Sequence, residues 1–409
     1  MTRPDMTTWE HEVRTWLEAE VGRRDDLGRT PDLEVFRDVT HDQEVEILNR
    51  ARAYRRARFD AGYGALTLPA ECEGAGLPAS FAARFGQIER DYAVPPSTEL
   101  ISVTTSLVAP AVASYGSQAQ RDRYLRALLR TDLLACQLFS EPGAGSDLAG
   151  LTCRAESDGA QWKVHGQKVW TSGAGHADLG LLLARTDPHV GKHRGITAFL
   201  VPLDSPGVSI RPIRQMSGAS SFNEVFLDAV TISDELRLGD VGQGWEVAKA
   251  TLAFERQASG SATRRKGGTF GDLLAVARSA GRLSDPIVRQ RLADIYVLAE
   301  LRAATSERVA RAAVAGQSPG PAGSVGKLVA SDLLVAIGEY AIELLGADAI
   351  ADHGDGAFAW TAHVLGAPGY RLAGGTDQIQ RNVIAERVLG LPAESRLDVG
   401  RPFSEVDRR

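Results

Sequence analysis

The chain has 409 residues, a formal net charge of -6, 44% hydrophobic residues and 24% charged residues. These are ordinary values for a globular protein long enough to bury one large core or two to three smaller ones. The acidic balance and the lack of a basic run interleaved with aromatics argue against nucleic acid as a partner. No stretch of about 18 apolar residues occurs, and Met1 to Met6 lacks an apolar signal core, so no membrane span and a cytoplasmic location are expected.

In chain order, residues 1–131 read as mostly helical. Mixed polar and apolar periods run from Trp9 to Val21 and from Arg121 to Leu129, broken by loops at Gly62 to Pro69 and Gly74 to Pro78. From 132 to 235 the pattern changes to short β-type runs: Trp162-Lys163-Val164, Leu181 to Ala184, Ile196 to Val201 and Glu224 to Leu227. Asp158-Gly159, Ser205-Pro206-Gly207 and Ser217-Gly218 mark turns between them, predicting a small β-barrel or sandwich. From 236 to 409 the helical period returns. Val288, Leu292, Ile295 and Ala299 share one spacing, and Leu333, Ile337, Tyr340 and Leu344 repeat it, predicting two broad apolar helix faces within a four-helix bundle. Ala315 to Gly323, rich in Gly and Pro, reads as a loop between two of these helices. The expected class is therefore an α+β multi-domain protein with helical, β and helical parts in that order.

Two local motifs carry chemistry. Cys136 to Asp147 contains Ser140-Glu141-Pro142-Gly143-Ala144-Gly145-Ser146, whose glycines let the backbone approach a ligand and whose amides and hydroxyls suit a phosphate or a ring carbonyl. Leu148 stands where the third glycine of a dinucleotide fingerprint would be, which disfavours nicotinamide binding; a plain Gly-rich turn is the competing reading. Lys168-Val169-Trp170-Thr171-Ser172 sets an indole beside two hydroxyls, able to stack on a flat heterocycle and bond its edge, although a tryptophan in a β domain is more often core.

Taken in order with Gly242-Gln243-Gly244-Trp245 and Gly374-Gly375-Thr376-Asp377-Gln378-Ile379-Gln380-Arg381, these motifs resemble the acyl-CoA dehydrogenase family over nearly the whole chain. The resemblance implies FAD held between the β domain and the C-terminal bundle, usually with help from a neighbouring subunit, in a homodimer or homotetramer. It implies an acyl-CoA or acyl-carrier thioester as substrate, and an electron-transfer flavoprotein or similar acceptor. By motif position, Leu138, Ser140, Gly145 and Ser146 meet the flavin or its pyrophosphate, Trp170 and Ser172 lie near flavin N5, and Thr376 and Gln378 also contact FAD. Ser146 and Arg256 are implied to face the acyl-CoA, Arg256 with a structural role as the alternative. The arginine for the FAD phosphates is left open among Arg278, Arg282 and Arg289.

The departure from the family pattern is Gly374, which stands where many members carry a catalytic glutamate. A glycine keeps the backbone N–H that supports the thioester carbonyl while removing the base. Glu255 aligns with the helix position where the isovaleryl- and long-chain acyl-CoA dehydrogenases place theirs, so the resemblance implies Glu255 as the base; a solvated Glu255-Arg256 pair is the competing reading. Two other activities stay open: a flavin monooxygenase on the same fold, which would not need Glu255, and an FAD-binding partner subunit of a hetero-oligomer.

The remaining polar residues say less. His189 and His193 have a helical ligand spacing, but Pro188 and Gly191 argue for a solvated loop, and His176 has no such partner, so no metal site is expected. Arg381 and Arg387 could meet a CoA phosphate, a subunit partner or a surface salt bridge. Cys72, Cys136 and Cys153 show no ligand or disulfide spacing and read as small buried hydrophobes.

Overall fold

The protein is described from a computed structural model, which covers residues 4–24, 33–261, 267–314, 320–354, 356–395, 398 and 400–406; the side chains of 255–261, 313, 314 and 322 lie outside it. Helix α1 (Met6–Glu20) starts where Asp5 accepts the Thr8 amide and buries Trp9, Val13 and Leu17 along one face. After α2 (His41–Asp60), opened by a Thr40/Gln43 capping box, α3 (Ala79–Glu89) turns Phe81, Phe85 and Ile88 onto that same face. A continuous helix α4 (99–115) has a π-wound middle turn, Thr104–Val108. Thr104 Oγ1 there accepts the Ala135 amide at 2.9 Å, which joins the helix to the first strand. Helix α5 (118–130) completes this part, with Arg121–Leu125 also π-wound.

Eight strands form one hydrogen-bonded network: β1 (Ala135–Leu138), β2 (Arg154–Asp158), β3 (Gln161–Ser172), β4 (Leu179–Arg185), β5 (Ile196–Pro202), β6 (Val208–Ile213), β7 (Phe222–Ser233) and β8 (Arg237–Leu238). Their order is β6-β7-β3-β2-β4-β5-β8, and β1 lies parallel on β4. Strand β4 is buried along its whole length because it is covered on both faces. Leu181 and Leu183 face the core shared with α4 and α5, whereas Leu182 and Ala184 face the core around Trp162 and Phe199. The expected β runs all fall inside strands, but β3 and β7 are each longer than the sequence pattern suggests. Register shifts after Val164 and after Lys168 break their alternation.

The C-terminal part comprises α6 (Gly244–Ser261), α7 (Phe270–Ser279), α8 (Pro286–Val314), α9 (Ala322–Leu345), α10 (Ala359–Gly366), α11 (Gly369–Leu372) and α12 (Asp377–Arg387). The two expected faces meet: Val288, Leu292 and Ile295 of α8 share one core with Leu333, Ile337 and Tyr340 of α9, with Ala299 and Leu344 packed at its edge. The expected loop from Ala315 to Gly323 lies partly outside the described residues, and α9 begins inside it at Ala322. All three cysteines are buried thiols, as expected.

One segment crosses these parts. Leu33 lies in the core of the C-terminal helices. Gly366 and Gly369 approach Val35 and Phe36 so closely that a Cβ at either would come within 2.7 Å of the facing side chain. Residues 33–36 belong in sequence to the N-terminal part and in space to the bundle.

His363 on α10 closes the bundle. Its ring is buried, Nδ1 accepting from the Gly268 amide at 2.9 Å and Nε2 donating to the Leu334 carbonyl at 2.8 Å. Burial is the main reason its pKa lies below the ordinary histidine value. A depressed histidine pKa means that the unfolded chain binds more protons below about pH 6.5, so this contribution is full above that value and is lost as the pH falls. His363→Gln, which can keep both hydrogen bonds, is expected to flatten the decline in unfolding free energy from urea titrations between about pH 7 and about pH 5 relative to wild type, by up to about 1.4 kcal/mol per pH unit. Parallel wild-type and variant curves over that range would show that His363 does not titrate on unfolding.

Candidate active site

The Gly-rich turn leaves β1 and is anchored by a buried ion pair. Lys168 on β3 is fully buried; its ammonium donates to Glu141 at 2.8 Å and to the Phe139 carbonyl at 3.0 Å. Glu141 is saturated from the other side by the Thr152 amide at 2.7 Å, the Thr152 hydroxyl at 2.8 Å and the Cys153 amide at 2.9 Å. Burial alone would raise the Glu141 carboxyl, but the Lys168 charge and these hydrogen bonds outweigh it and hold it below the usual carboxylate range. Three segments, 139–141, 152–153 and β3, therefore converge on one carboxylate.

Immediately beyond Lys168 the register with β7 slips, and Trp170 takes φ 61°, in the left-handed region. The slip rolls its indole outward, leaving 59% of the residue exposed. Such a backbone costs on the order of 1–3 kcal/mol for a bulky residue and persists only where its surroundings over-determine it. Here the flanks are fixed: the Val169 amide donates to the Ser140 carbonyl at 2.9 Å, and Asn223 Nδ2 donates to the Thr171 carbonyl at 3.1 Å. Thr171 Oγ1 is buried without a hydrogen-bond partner, and Ser172 is half-buried beside it.

A chain of rings links Trp170 to the glycine loop. Trp170 meets Phe222 edge-on at 6.1 Å, Phe222 meets Phe36 at 5.6 Å, and Phe36 stacks on Tyr370 at 5.6 Å and 11°. Tyr370 lies on α11, directly before Gly374 and Gly375, whose φ values are 64° and 82°. That loop is clamped from beneath. Gln380 Nε2 donates to the Gly374 carbonyl at 2.8 Å, and Thr376 caps α12 by accepting the Ile379 amide. Buried Asp377 accepts from Lys327 at 2.7 Å and from Ser331 at 3.1 Å on α9. Gly374 and Gln378 stay exposed.

The other expected site residues fall as follows. Gly145 and Ser146 are exposed on the turn and Ser140 is half-buried behind it. The Leu138 side chain is fully buried in the core of the sheet, so its route to a ligand is the main chain. Glu255 and Arg256 lie on α6, but their side chains are outside the described residues. Arg282 is paired with Asp285 at 2.8 Å, while Arg278 and Arg289 are exposed, as are Arg381 and Arg387. His193 packs on Trp245 at 4.7 Å in the β4–β5 loop, and its neighbour Lys192 bridges Asp147 at 2.8 Å and Asp398 at 2.5 Å. His176, which has no partner at ligand spacing in the sequence, lies in space 3.2 Å from Glu44 and stacks on His41.

The sequence reading missed the ion pair and the ring chain. The ion pair had a signal, since Lys168 has the same parity as the inward residues Trp162 and Val164. A lysine on an inward parity needs a buried counter-charge. The ring chain had none, because Phe36, Phe222 and Tyr370 are far apart in sequence.

Chemically, the outward indole offers a face to a planar ring system, with the half-buried Ser172 two residues on. The turn at Gly145 and Ser146 offers amides and a hydroxyl to phosphate oxygens. The chemistry of the residues at Trp170 and at the Gly145–Ser146 turn fits a flavin nucleotide.

Three family models match the chain: acyl-CoA dehydrogenase, N-terminal domain, over residues 34–132; middle domain, over 136–230; and C-terminal domain, over 242–389. The acyl-CoA dehydrogenase FadE34 of Mycobacterium tuberculosis is 42% identical over 285 residues, 69% of this chain; the chain spans only 39% of that relative's length. The acyl-CoA dehydrogenase IpdE1 of the same organism is 36% identical over 363 residues, covering 87% of this chain and 91% of the relative. Among solved structures, the Tcur3481-Tcur3483 steroid ACAD superposes with a TM-score of 0.75 at 26% identity, over 95% of this chain and 98% of that one.

Lys168→Met leaves the Glu141 carboxylate buried without its cation, and is expected to cost about 3–5 kcal/mol in urea unfolding. Adding Glu141→Gln, which removes the stranded charge, should recover a large part of that loss. A single variant that unfolds at the wild-type midpoint would remove the ion pair as the anchor of β3.

Proposed function

The chain belongs to the acyl-CoA dehydrogenase family, FAD-dependent oxidoreductases acting on CH–CH bonds, and from that premise we propose that it desaturates an acyl-CoA with Glu255 as the base. The observation behind this reading is the backbone of Gly374, at φ 64° in a clamped loop. No side chain projects there, and a glutamate could enter that conformation only at a cost of about 1–3 kcal/mol. The loop keeps its N–H, which would donate to the thioester carbonyl as negative charge develops on its oxygen. The proton acceptor must then come from another element, and Glu255 on α6 is the carboxylate that the family pattern supplies.

FAD, when bound, accepts the β-hydride. The protein's part is to hold and align. Trp170 would stack on the ring system, with Ser172 at its edge; Ser140, Gly145, Ser146 and the Leu138 main chain would face the ring and pyrophosphate, and Thr376 and Gln378 would add contacts from the loop. Ser146 and Arg256 would face the acyl-CoA, and a flavoprotein carrier would collect the electrons.

For the acyl group we favour a bulky, steroid-derived chain, supported by the likeness to the steroid enzyme over nearly its full length and by the lack of a side chain at Gly374. That solved enzyme is named by two components, which favours assembly with a second chain of the same family over the homodimer or homotetramer that the motifs imply.

Glu255→Gln should retain flavin and lose roughly 10²–10⁴-fold in kcat; desaturation at the wild-type rate would sink the assignment. Adding Gly374→Glu to that variant should restore at most part of the rate and lower stability by about 1–3 kcal/mol, because the left-handed loop backbone strains a side chain there. Under anaerobic conditions, CoA thioesters of steroid side chains should bleach the flavin faster than short straight-chain ones. Equal bleaching would reject the substrate class, and no bleaching by any thioester would reject the activity.

A further inference from the structure

We propose that His41, Glu44 and His176 form a binding site for a divalent transition metal of the zinc class, which staples α2 to the turn that follows β3. Their ligand atoms all lie within 4.8 Å of one another, and they are the one such group among the described residues. His41 and Glu44 are three residues apart at the start of α2 and so share a helix face. His176 closes the 3-10 turn Ala174–His176, directly after β3. Its Nε2 lies 3.2 Å from Glu44 Oε2, and its ring stacks on that of His41 at 5.3 Å and 18°.

These distances suit a shared ion. With bonds of about 2.0–2.2 Å, tetrahedral ligand atoms stand roughly 3.3–3.6 Å apart. The His176–Glu44 pair is already near that separation; the His41 ring, now nearly parallel to that of His176, must turn so that its in-plane lone pair points at the ion, and its exposure leaves room for that. Two imidazoles and one carboxylate select zinc, cobalt or nickel over magnesium or calcium, which prefer all-oxygen shells.

Without a metal the three groups make a simpler contact. A hydrogen bond from His176 holds the Glu44 carboxyl below its usual range, and the same bond holds the His176 ring above its own. The ion would take the place of the proton in that bond. Acidic Asp42 and Glu44 in the first turn of α2 offset the unfavourable meeting of a cation with a helix N-terminus.

The test is titration of the chelator-treated, FAD-loaded full chain with zinc, followed by calorimetry and thermal unfolding. The expected result is one equivalent bound with micromolar affinity and a raised melting midpoint. His41→Ala and His176→Ala should each weaken binding by roughly 10-fold or more; without metal His41→Ala should melt like wild type, whereas His176→Ala also loses its hydrogen bond to Glu44. A His189→Ala/His193→Ala variant should bind as wild type does, and zinc-edge X-ray absorption should show two imidazole ligands. The site is refuted by a lack of saturable uptake, by uptake that survives both His41→Ala and His176→Ala, or by uptake abolished in the His189/His193 variant.

Discussion

A single ammonium group, removed from water inside the β sheet, sets the geometry on which the Gly-rich turn and the Trp170 backbone depend. Lys168 cannot be accommodated there unless Glu141 is held against it, and Glu141 cannot be held there unless the 152–153 backbone turns its amides inward. Satisfying those charges fixes the exit of β1, the entry to β2 and the middle of β3 together. The backbone of Trp170 lies two residues beyond that fixed point, so the strained turn begins from a rigid base. A hydrophobic pair could stabilise the same sheet, but it would specify neither the register nor the direction from which each segment arrives.

The loop at Gly374 is positioned by packing. Phe36 stands between Phe222 of the sheet and Tyr370 of the bundle, on a segment whose Leu33 is already committed to the bundle core. The loop at Gly374 is then held by Asp377 and Gln380, which bond it to α9 and to itself. A polar anchor fixes the sheet segment, and an aromatic relay links it to the bundle before the Gly374 loop. Neither anchor draws on α6.

Much of this was legible in the sequence wherever the physics is local. The alternation in Leu181 to Ala184 and the spacing of Val288, Leu292 and Ile295 each report a face, because a strand or helix repeats its own geometry. The motifs around Ser146, Trp170 and Gly374 carried the family and the candidate site. The full length of β3 was hidden because its register shifts break the alternation. The proximity of His176 to Glu44, and of Phe36 to Tyr370, was hidden because both are made by tertiary packing between segments far apart in the chain. The inward lysine was readable as an anomaly, but its partner was not.

The outward turn of Trp170 also gives the protein a built-in optical reporter. Trp9, Trp162 and Trp360 are buried, Trp16 and Trp245 are half-covered, and Trp170 is the one indole that faces water. The red edge of the intrinsic emission therefore belongs mainly to a single residue of β3. Anything that covers that ring shifts or quenches this component while leaving the blue emission of the buried tryptophans in place, so cover over Trp170 can be followed by fluorescence without a label.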